Sequence, residues 1–176
     1  MAAALRVRHY HPTDSDRVRE LDAAAMGATD AFSVSVPSAD LDSIEASYID
    51  VGGEFLVGKT GGRIVAMGAF RPATGYVTAY VRDLPDSTAE LKRMRVDPAF
   101  QRRGYGEQVC AALERRAREH GYTDLVLDTS PDQRGARRLY EKRGFEEGSH
   151  ERVETDSESF EAVFYHKSIA DKRRPA

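Results

Sequence analysis

The sequence predicts a single α/β domain. Its 176 residues match the size of one domain with a real core. Segments with the two-residue alternation of half-buried strands take turns along the chain with segments whose apolar residues recur at helical spacing. A short continuous apolar run, Leu125-Val126-Leu127, reads as a strand covered on both faces, as expected where helices flank a sheet.

Taken in order, Leu5 to His11 alternates, with Leu5, Val7 and His9 opposite Arg6, Arg8 and Tyr10, and Pro12 ends this first strand. Thr13-Asp14-Ser15-Asp16 supplies N-cap residues for a helix through Val18, Leu21, Ala24 and Ala25. Ser33 to Pro37 reads as a loop. A second helical pattern starts at Ser38-Ala39-Asp40, with Leu41, Ile44 and Tyr48 on one face and Gly52-Gly53 closing it. Glu54 to Lys59 and Arg63 to Phe70 are apolar runs separated by Thr60-Gly61-Gly62, a hairpin signal. Pro72, Gly75 and Pro85 make Arg71 to Thr88 a loop with some extended structure around Tyr76 to Val81.

Glu90 to Val96 then reads as a strand ended by Asp97-Pro98. Strict alternation along it would place Glu90, Lys92, Met94 and Val96 on one side. Gln101 to Gly106 leads into a long helix whose core face is Val109, Leu113 and Ala117, with Gly121 as its C-terminal stop. A last helix starts at Ser130-Pro131-Asp132, turns Ala136, Leu139 and Tyr140 inward, and stops at Gly144. Phe145 onward and Phe160 to His166 form a closing hairpin joined by Thr155 to Ser159, and Asp171 to Ala176 is a frayed tail.

Composition narrows the function. A net charge of −3 gives no global field for phosphate backbones or anionic lipid, so a nucleic-acid coat and a membrane-surface role are disfavoured. No apolar run approaches a membrane span, and charge at Arg6 and Arg8 comes too early for a signal peptide, so a cytoplasmic location is expected. The single cysteine, Cys110, excludes an internal disulfide and reads as a small buried residue. Five lysines leave 21 arginines, the side chains best suited to bidentate anion contacts where they cluster. His9 and His11 share a strand face, but no third ligand is evident, so no metal is expected. No Ser-His-Asp pattern is present.

The chemistry concentrates in Gln101-Arg102-Arg103-Gly104-Tyr105-Gly106, between a strand and a helix. Glycines there let a ligand approach the backbone, and the following helix offers unpaired N–H groups and the positive end of its dipole, a setting for a pyrophosphate. It is not a Walker A loop, because Glu107-Gln108 replaces the required Lys-Ser or Lys-Thr. It is not a dinucleotide fingerprint either, because Val109 stands where a third glycine belongs. Taken alone, the loop reads first as a tight turn that starts a helix.

The surrounding residues decide between these. Glu90-Leu91-Lys92-Arg93-Met94-Arg95-Val96-Asp97-Pro98, the glycine loop, and Leu139-Tyr140-Glu141-Lys142-Arg143-Gly144-Phe145 together resemble the GCN5-related N-acetyltransferase (GNAT) superfamily. The match runs from about Glu90 to Phe145, and the N-terminal element order is compatible by pattern. The resemblance implies one domain over residues 1–170 with a short tail over 171–176. Its fold would be a mixed, mostly antiparallel sheet of six or seven strands with about four helices, splayed at an acetyl-CoA site.

By that resemblance, backbone N–H groups of Arg102, Arg103, Gly104, Gly106 and Glu107 cradle the pyrophosphate. Gln101 belongs to the same signature, and Tyr105 packs nearby. Met94 N–H faces the thioester carbonyl and Val96 bonds the pantetheine arm; such a donor stabilises charge growing on the carbonyl oxygen. Glu90 stands at the general-base position and Tyr140 at that of the general acid. Glu90 is equally a strand-end carboxylate paired with Lys92 or another cation; the alternative for Tyr140 is a helix-face aromatic packed on the sheet whose hydroxyl bonds the cofactor sulfur without giving up its proton. Gln133 replaces an asparagine common in relatives, and Arg137 or Arg138 is placed to reach the coenzyme's phosphates.

The implied reaction is acetyl transfer from acetyl-CoA to a primary amine of a small molecule, by direct attack in a ternary complex, with no metal. Arg71, Arg82 and Arg95 are candidates for attracting an acidic acceptor. A peptide N-terminus or protein lysine is the alternative acceptor, and a non-catalytic acyl-CoA-sensing module is the alternative class. A homodimer is compatible with the resemblance.

Overall fold

The computed structural model describes residues 3–27, 39–156 and 158–171. In chain order the elements are β1 (Arg6–His9), α1 (Ser15–Gly27), β2 (Glu54–Thr60), β3 (Arg63–Pro72), α2 (Val77–Tyr80), β4 (Thr88–Val96), α3 (Tyr105–Glu119), β5 (Asp124–Thr129), α4 (Arg134–Lys142), β6 (Glu146–Glu154) and β7 (Ser159–Ser168). The strands form one sheet in the order β1-β2-β3-β4-β5-β7-β6. Every neighbouring pair is antiparallel except β4 and β5, which α3 connects in parallel. The mixed, mostly antiparallel sheet is the expected one.

The β2–β3 turn follows from its glycines: Gly61 and Gly62 both take positive φ, at 56° and 78°, as a two-residue hairpin turn twisted like its strands requires. α3 buries Val109, Leu113 and Ala117 completely against Val65, Leu91 and Leu125. α4 joins that layer through Tyr140. The opposite face carries α1, through Val18 and Leu21, against Phe55, Val57 and Met67, while α2 sets Val77 on Val126 and Phe164. Burial of these apolar stripes is what holds the helices to the sheet.

Several expectations change in detail. Ala24 of α1 is exposed, and Asp22 is buried in its place. The pattern beginning near Asp40 bends through a short 3₁₀ turn at Ala39–Asp42 and a π turn at Glu45–Ile49, which still buries Leu41, Ile44 and Tyr48. The connection after β3 contains the one-turn α2 where extended structure was expected. Its β-branched residues suggest a strand, but Tyr76 is tied to Asp128 and Val77 fills a gap beside β5, so tertiary contacts override local preference. α4 begins at Arg134, because Ser130 to Gln133 forms a turn before it, with Gln133 N–H donating to Ser130 O at 3.0 Å. The Ser33–Pro37 loop, Ser38, Ser157 and residues 172–176 of the expected tail lie outside the described residues.

The most consequential correction is in β4. Met67 pairs with Arg95 and Ala69 with Lys92, so Gly68 alone opposes Arg93 and Met94, and Arg93 adopts φ 55°. This β-bulge breaks the alternation. Glu90 and Lys92 stay on the α2 face, whereas Met94 and Val96 turn to the α3 layer, so the four do not share a side. Gly68 makes room: a Cβ there would collide with Met94 Sδ and stand 2.7 Å from Leu113.

Candidate active site

β4 and β5 pair only at Thr88–Asp124, Ala89–Leu125 and Glu90–Val126. Beyond Glu90 the two strands separate, leaving the bulged end of β4 and the polar end of β5 on either side of an opening. α3 starts at the far end of β4, and α4 brings Tyr140 alongside.

The bulge is fixed by charge. Arg93 donates from Nε and Nη2 to the two oxygens of Asp40, at 2.9 and 2.6 Å, and reaches Asp22 at 3.3 Å. Arg95 Nε donates to Asp22 at 2.9 Å, and the Tyr48 hydroxyl donates to Asp40. Burial alone would raise the Asp40 carboxyl, but the hydrogen bonds from Arg93 and Tyr48 outweigh it and bring it down to about 2.

At the start of α3, Gly104 is the N-cap residue with φ 79°, and no side chain caps the helix. The N–H groups of Tyr105, Gly106 and Glu107 therefore have no partner within the helix. Among the described residues, nothing beyond its chain neighbours lies within 4 Å of where a Gly104 Cβ would stand. Arg102 also takes positive φ, at 63°, and both it and Arg103 are exposed. The Arg103 guanidinium lies 5.0 Å from the Phe100 ring centroid, and Gln101 Nε2 donates to Val96 O at 3.4 Å. Tyr105 is buried and its hydroxyl donates to Ala3 O at 3.1 Å. Glu107 would place an acid at this cationic corner, but Lys142 Nζ donates to it at 2.9 Å.

Glu90 is 2% exposed. Burial pushes its carboxyl above the ordinary glutamate range; Asp128 adds to the rise, while Lys92 and Arg71 offset part of it. Burial likewise raises Asp128, which accepts hydrogen bonds from the Tyr76 hydroxyl at 2.9 and 3.0 Å. Tyr140 is 6% exposed, with its ring 5.7 Å from that of Phe145, and burial makes its phenol harder to ionise. The Tyr140 ring also lies 6.0 Å from that of Tyr165 on β7, so α4 is seated on the sheet through this residue.

Met94, Val96 and Tyr140 belong to the α3 layer, Gly106 stands against Val96 and Leu139, and Glu90 faces the other side of β4 with Lys92. Gln133 precedes α4 without capping it. Arg137 is committed elsewhere, donating to Tyr165 Oη at 3.0 Å, Pro131 O at 3.2 Å and Glu147 at 3.1 Å. Arg95 is paired with Asp22, whereas Arg71 lies over the Tyr48 ring beside a surface depression of about 460 Å³. Cys110 is buried and its thiol is pushed up to about 12, as suits a packing residue. His9 faces Glu54 at 3.3 Å and His11 caps the turn before α1; among the described residues no group of three or more potential metal ligands is present.

Sequence reasoning passed over Tyr76, Asp128, Asp22 and Asp40. Asp128 carried one usable signal, a carboxylate directly after the apolar run Leu125-Val126-Leu127.

Comparison with known proteins agrees with this fold. The family model described as Acetyltransferase (GNAT) family matches residues 21–145. The chain is similar to N-acetyltransferase 8F1 of Rattus norvegicus, 36% identical over 111 residues that cover 61% of this chain and 46% of that one. It is also similar to N-acetyltransferase 8 of Mus musculus, 37% identical over 112 residues covering 61% and 45%. The chain thus spans about half the length of the curated relatives it matches. Among solved structures it resembles yncA of Salmonella typhimurium, described as a putative acetyltransferase with its cofactor acetyl-CoA, with TM-score 0.75, 18% identity and 98% of each chain covered. It likewise resembles a GNAT-family acetyltransferase of Staphylococcus aureus, with TM-score 0.75, 18% identity, and 95% and 100% covered.

Proposed function

This chain belongs to the acetyltransferase (GNAT) family, and from that membership we propose that it transfers the acetyl group of acetyl-CoA to the primary amine of a small molecule, by direct attack in a ternary complex. The observation that carries the reading is the parting of β4 and β5 after Glu90, a buried carboxylate, next to the bulged backbone of β4; Tyr140 is assigned to the same opening as part of the proposal.

The residues present fit the coenzyme. The uncapped start of α3, with open space over Gly104 and two exposed arginines, suits a diphosphate. When bound, acetyl-CoA supplies an acyl group activated as a thioester. The bulge frees backbone at Met94, whose N–H would donate to the carbonyl oxygen as charge grows there. Glu90 would take the proton from the amine, and its raised pKa makes it a stronger base than an exposed glutamate. Tyr140 keeps its proton at neutral pH and would give it to the departing thiolate.

A small primary amine is favoured because Glu90 is deeply buried, so the acceptor nitrogen must reach inward to meet it. We place this activity in the cytoplasm, where a single buried free cysteine suits reducing conditions. Among the described residues no helix is long and apolar enough to cross a membrane.

The test is acetyl-CoA consumption, read as free-thiol release, across amines, amino acids, polyamines, aminoglycosides and peptides. The proposal expects release dependent on a small amine. Release with peptides alone would move the acceptor to protein termini or lysines. Coenzyme binding without release for any amine would make the chain a non-catalytic acyl-CoA-binding module.

A further inference from the structure

Lys92 leaves β4 on the same face as Glu90, and its Nζ lies 3.6 Å from Glu90 Oε1. The same ammonium is 5.6 Å from the ring centroid of Tyr76, whose hydroxyl is bound to Asp128. One buried carboxylate, Glu90, the half-buried Asp128 and an aromatic face thus lie around one side-chain nitrogen where β4 and β5 part. Arg71, the register partner of Glu90, and Glu158, which acts on Tyr76, are the other charged groups around the cluster. Lys92 is not sealed in: its side chain is 22% exposed, against 3% for Glu90.

A general base must lie within hydrogen-bond reach of the nitrogen it deprotonates, directly or through one water. At 3.6 Å, Lys92 Nζ is in ion-pair contact with Glu90, and a small side-chain rotation brings it within that reach. The other lysines with ion pairs are held elsewhere, Lys142 by Glu107 and Lys167 by Glu114.

We propose that Lys92 is a self-acetylation site: with acetyl-CoA bound and no amine present, its nitrogen receives the acetyl group. The inference rests on the reading of this opening as an acetyl-transfer site. Glu90 takes one proton from the ammonium and releases it to water. The nitrogen attacks the carbonyl carbon, and the N–C bond forms as the C–S bond breaks. The second proton lost by the nitrogen balances the one that converts the departing thiolate to a thiol. The neutral amide no longer offsets Glu90 and keeps its bulk beside it, so the modified protein turns over amines more slowly. A saturating acceptor protects Lys92 by taking its place.

The full chain is incubated with acetyl-CoA alone and followed by intact mass and peptide mapping. Lys142, with a side chain 71% exposed, reports uncatalysed acylation within the same molecule. Lys92 is expected to acquire an acetyl group at least about tenfold faster than Lys142, and Glu90→Gln to slow Lys92 by roughly a hundredfold with no change at Lys142. Equal rates at the two lysines overturn the inference, and that comparison needs no variant. Free-thiol release with an amine while Lys92 stays unmodified overturns self-acetylation and leaves amine transfer standing. No reaction at Lys92 and none with any amine overturns both.

Discussion

Arg93 and Asp40 form a bidentate ion pair, with N–O distances of 2.9 and 2.6 Å, and Arg93 is the residue that bulges out of β4. The pair therefore fixes the point at which the strand changes face. Glu90 and Lys92 lie on one side of that change, and Met94 and Val96 on the other.

Asp40→Ala leaves the Arg93 guanidinium with only its longer contacts to Asp22. Breaking a buried pair from one side costs about 3 kcal/mol, and urea unfolding is expected to show a loss of that order. A change within about 0.5 kcal/mol, the size of an ordinary surface substitution, would contradict it. The pH dependence has a definite sign. Because the folded-state pKa of Asp40 is depressed to about 2, its stabilisation is present above the ordinary carboxylate pKa and is lost as pH falls toward that value.

Gly104→Val and Gly106→Ala should behave differently although they are two residues apart. Gly104 has φ 79°, which a β-branched residue adopts only with strain of about 1–2 kcal/mol. A Cβ on Gly106 meets Leu139 and Val96 at 3.5 Å, an ordinary contact. Calorimetric titration with acetyl-CoA is expected to show a clear loss of affinity for the valine variant, a smaller one for Arg102→Ala, and little for Gly106→Ala.

Glu90 is raised by burial, and as a base it acts only when ionised. kcat/KM should climb with pH through an apparent pKa above the ordinary glutamate value of about 4.3. In Glu90→Gln that limb should vanish and the rate fall about a hundredfold. A variant retaining the limb would assign it to another group.

Tyr140→Phe removes only a hydroxyl from a packed ring. We expect kcat to drop about tenfold or more with little change in acetyl-CoA affinity, the pattern of an interaction made in the transition state. An unchanged kcat would remove Tyr140 from the mechanism.

Much of this was legible in the sequence, for local reasons. The spacing of Val109, Leu113 and Ala117 set the buried face of α3, the paired glycines set the β2–β3 turn, and the Gln101–Gly106 string marked the start of α3. The bulge was not legible, because a residue at positive φ that is not glycine leaves no trace in composition and strict alternation is the natural default. Arg93 owes that conformation to Asp40, which is 53 positions away. Tyr76 and Asp128 were missed for the same reason: each has an ordinary local role, and only the fold brings them to Glu90 and Lys92.

A crystal structure of the chain with acetyl-CoA tests the central claim most directly. The account predicts the diphosphate on the backbone N–H groups at the start of α3, the thioester oxygen at Met94 N–H, and the sulfur beside the Tyr140 hydroxyl. A coenzyme bound away from the β4–β5 opening, or a Tyr140 hydroxyl turned from the sulfur, would contradict it.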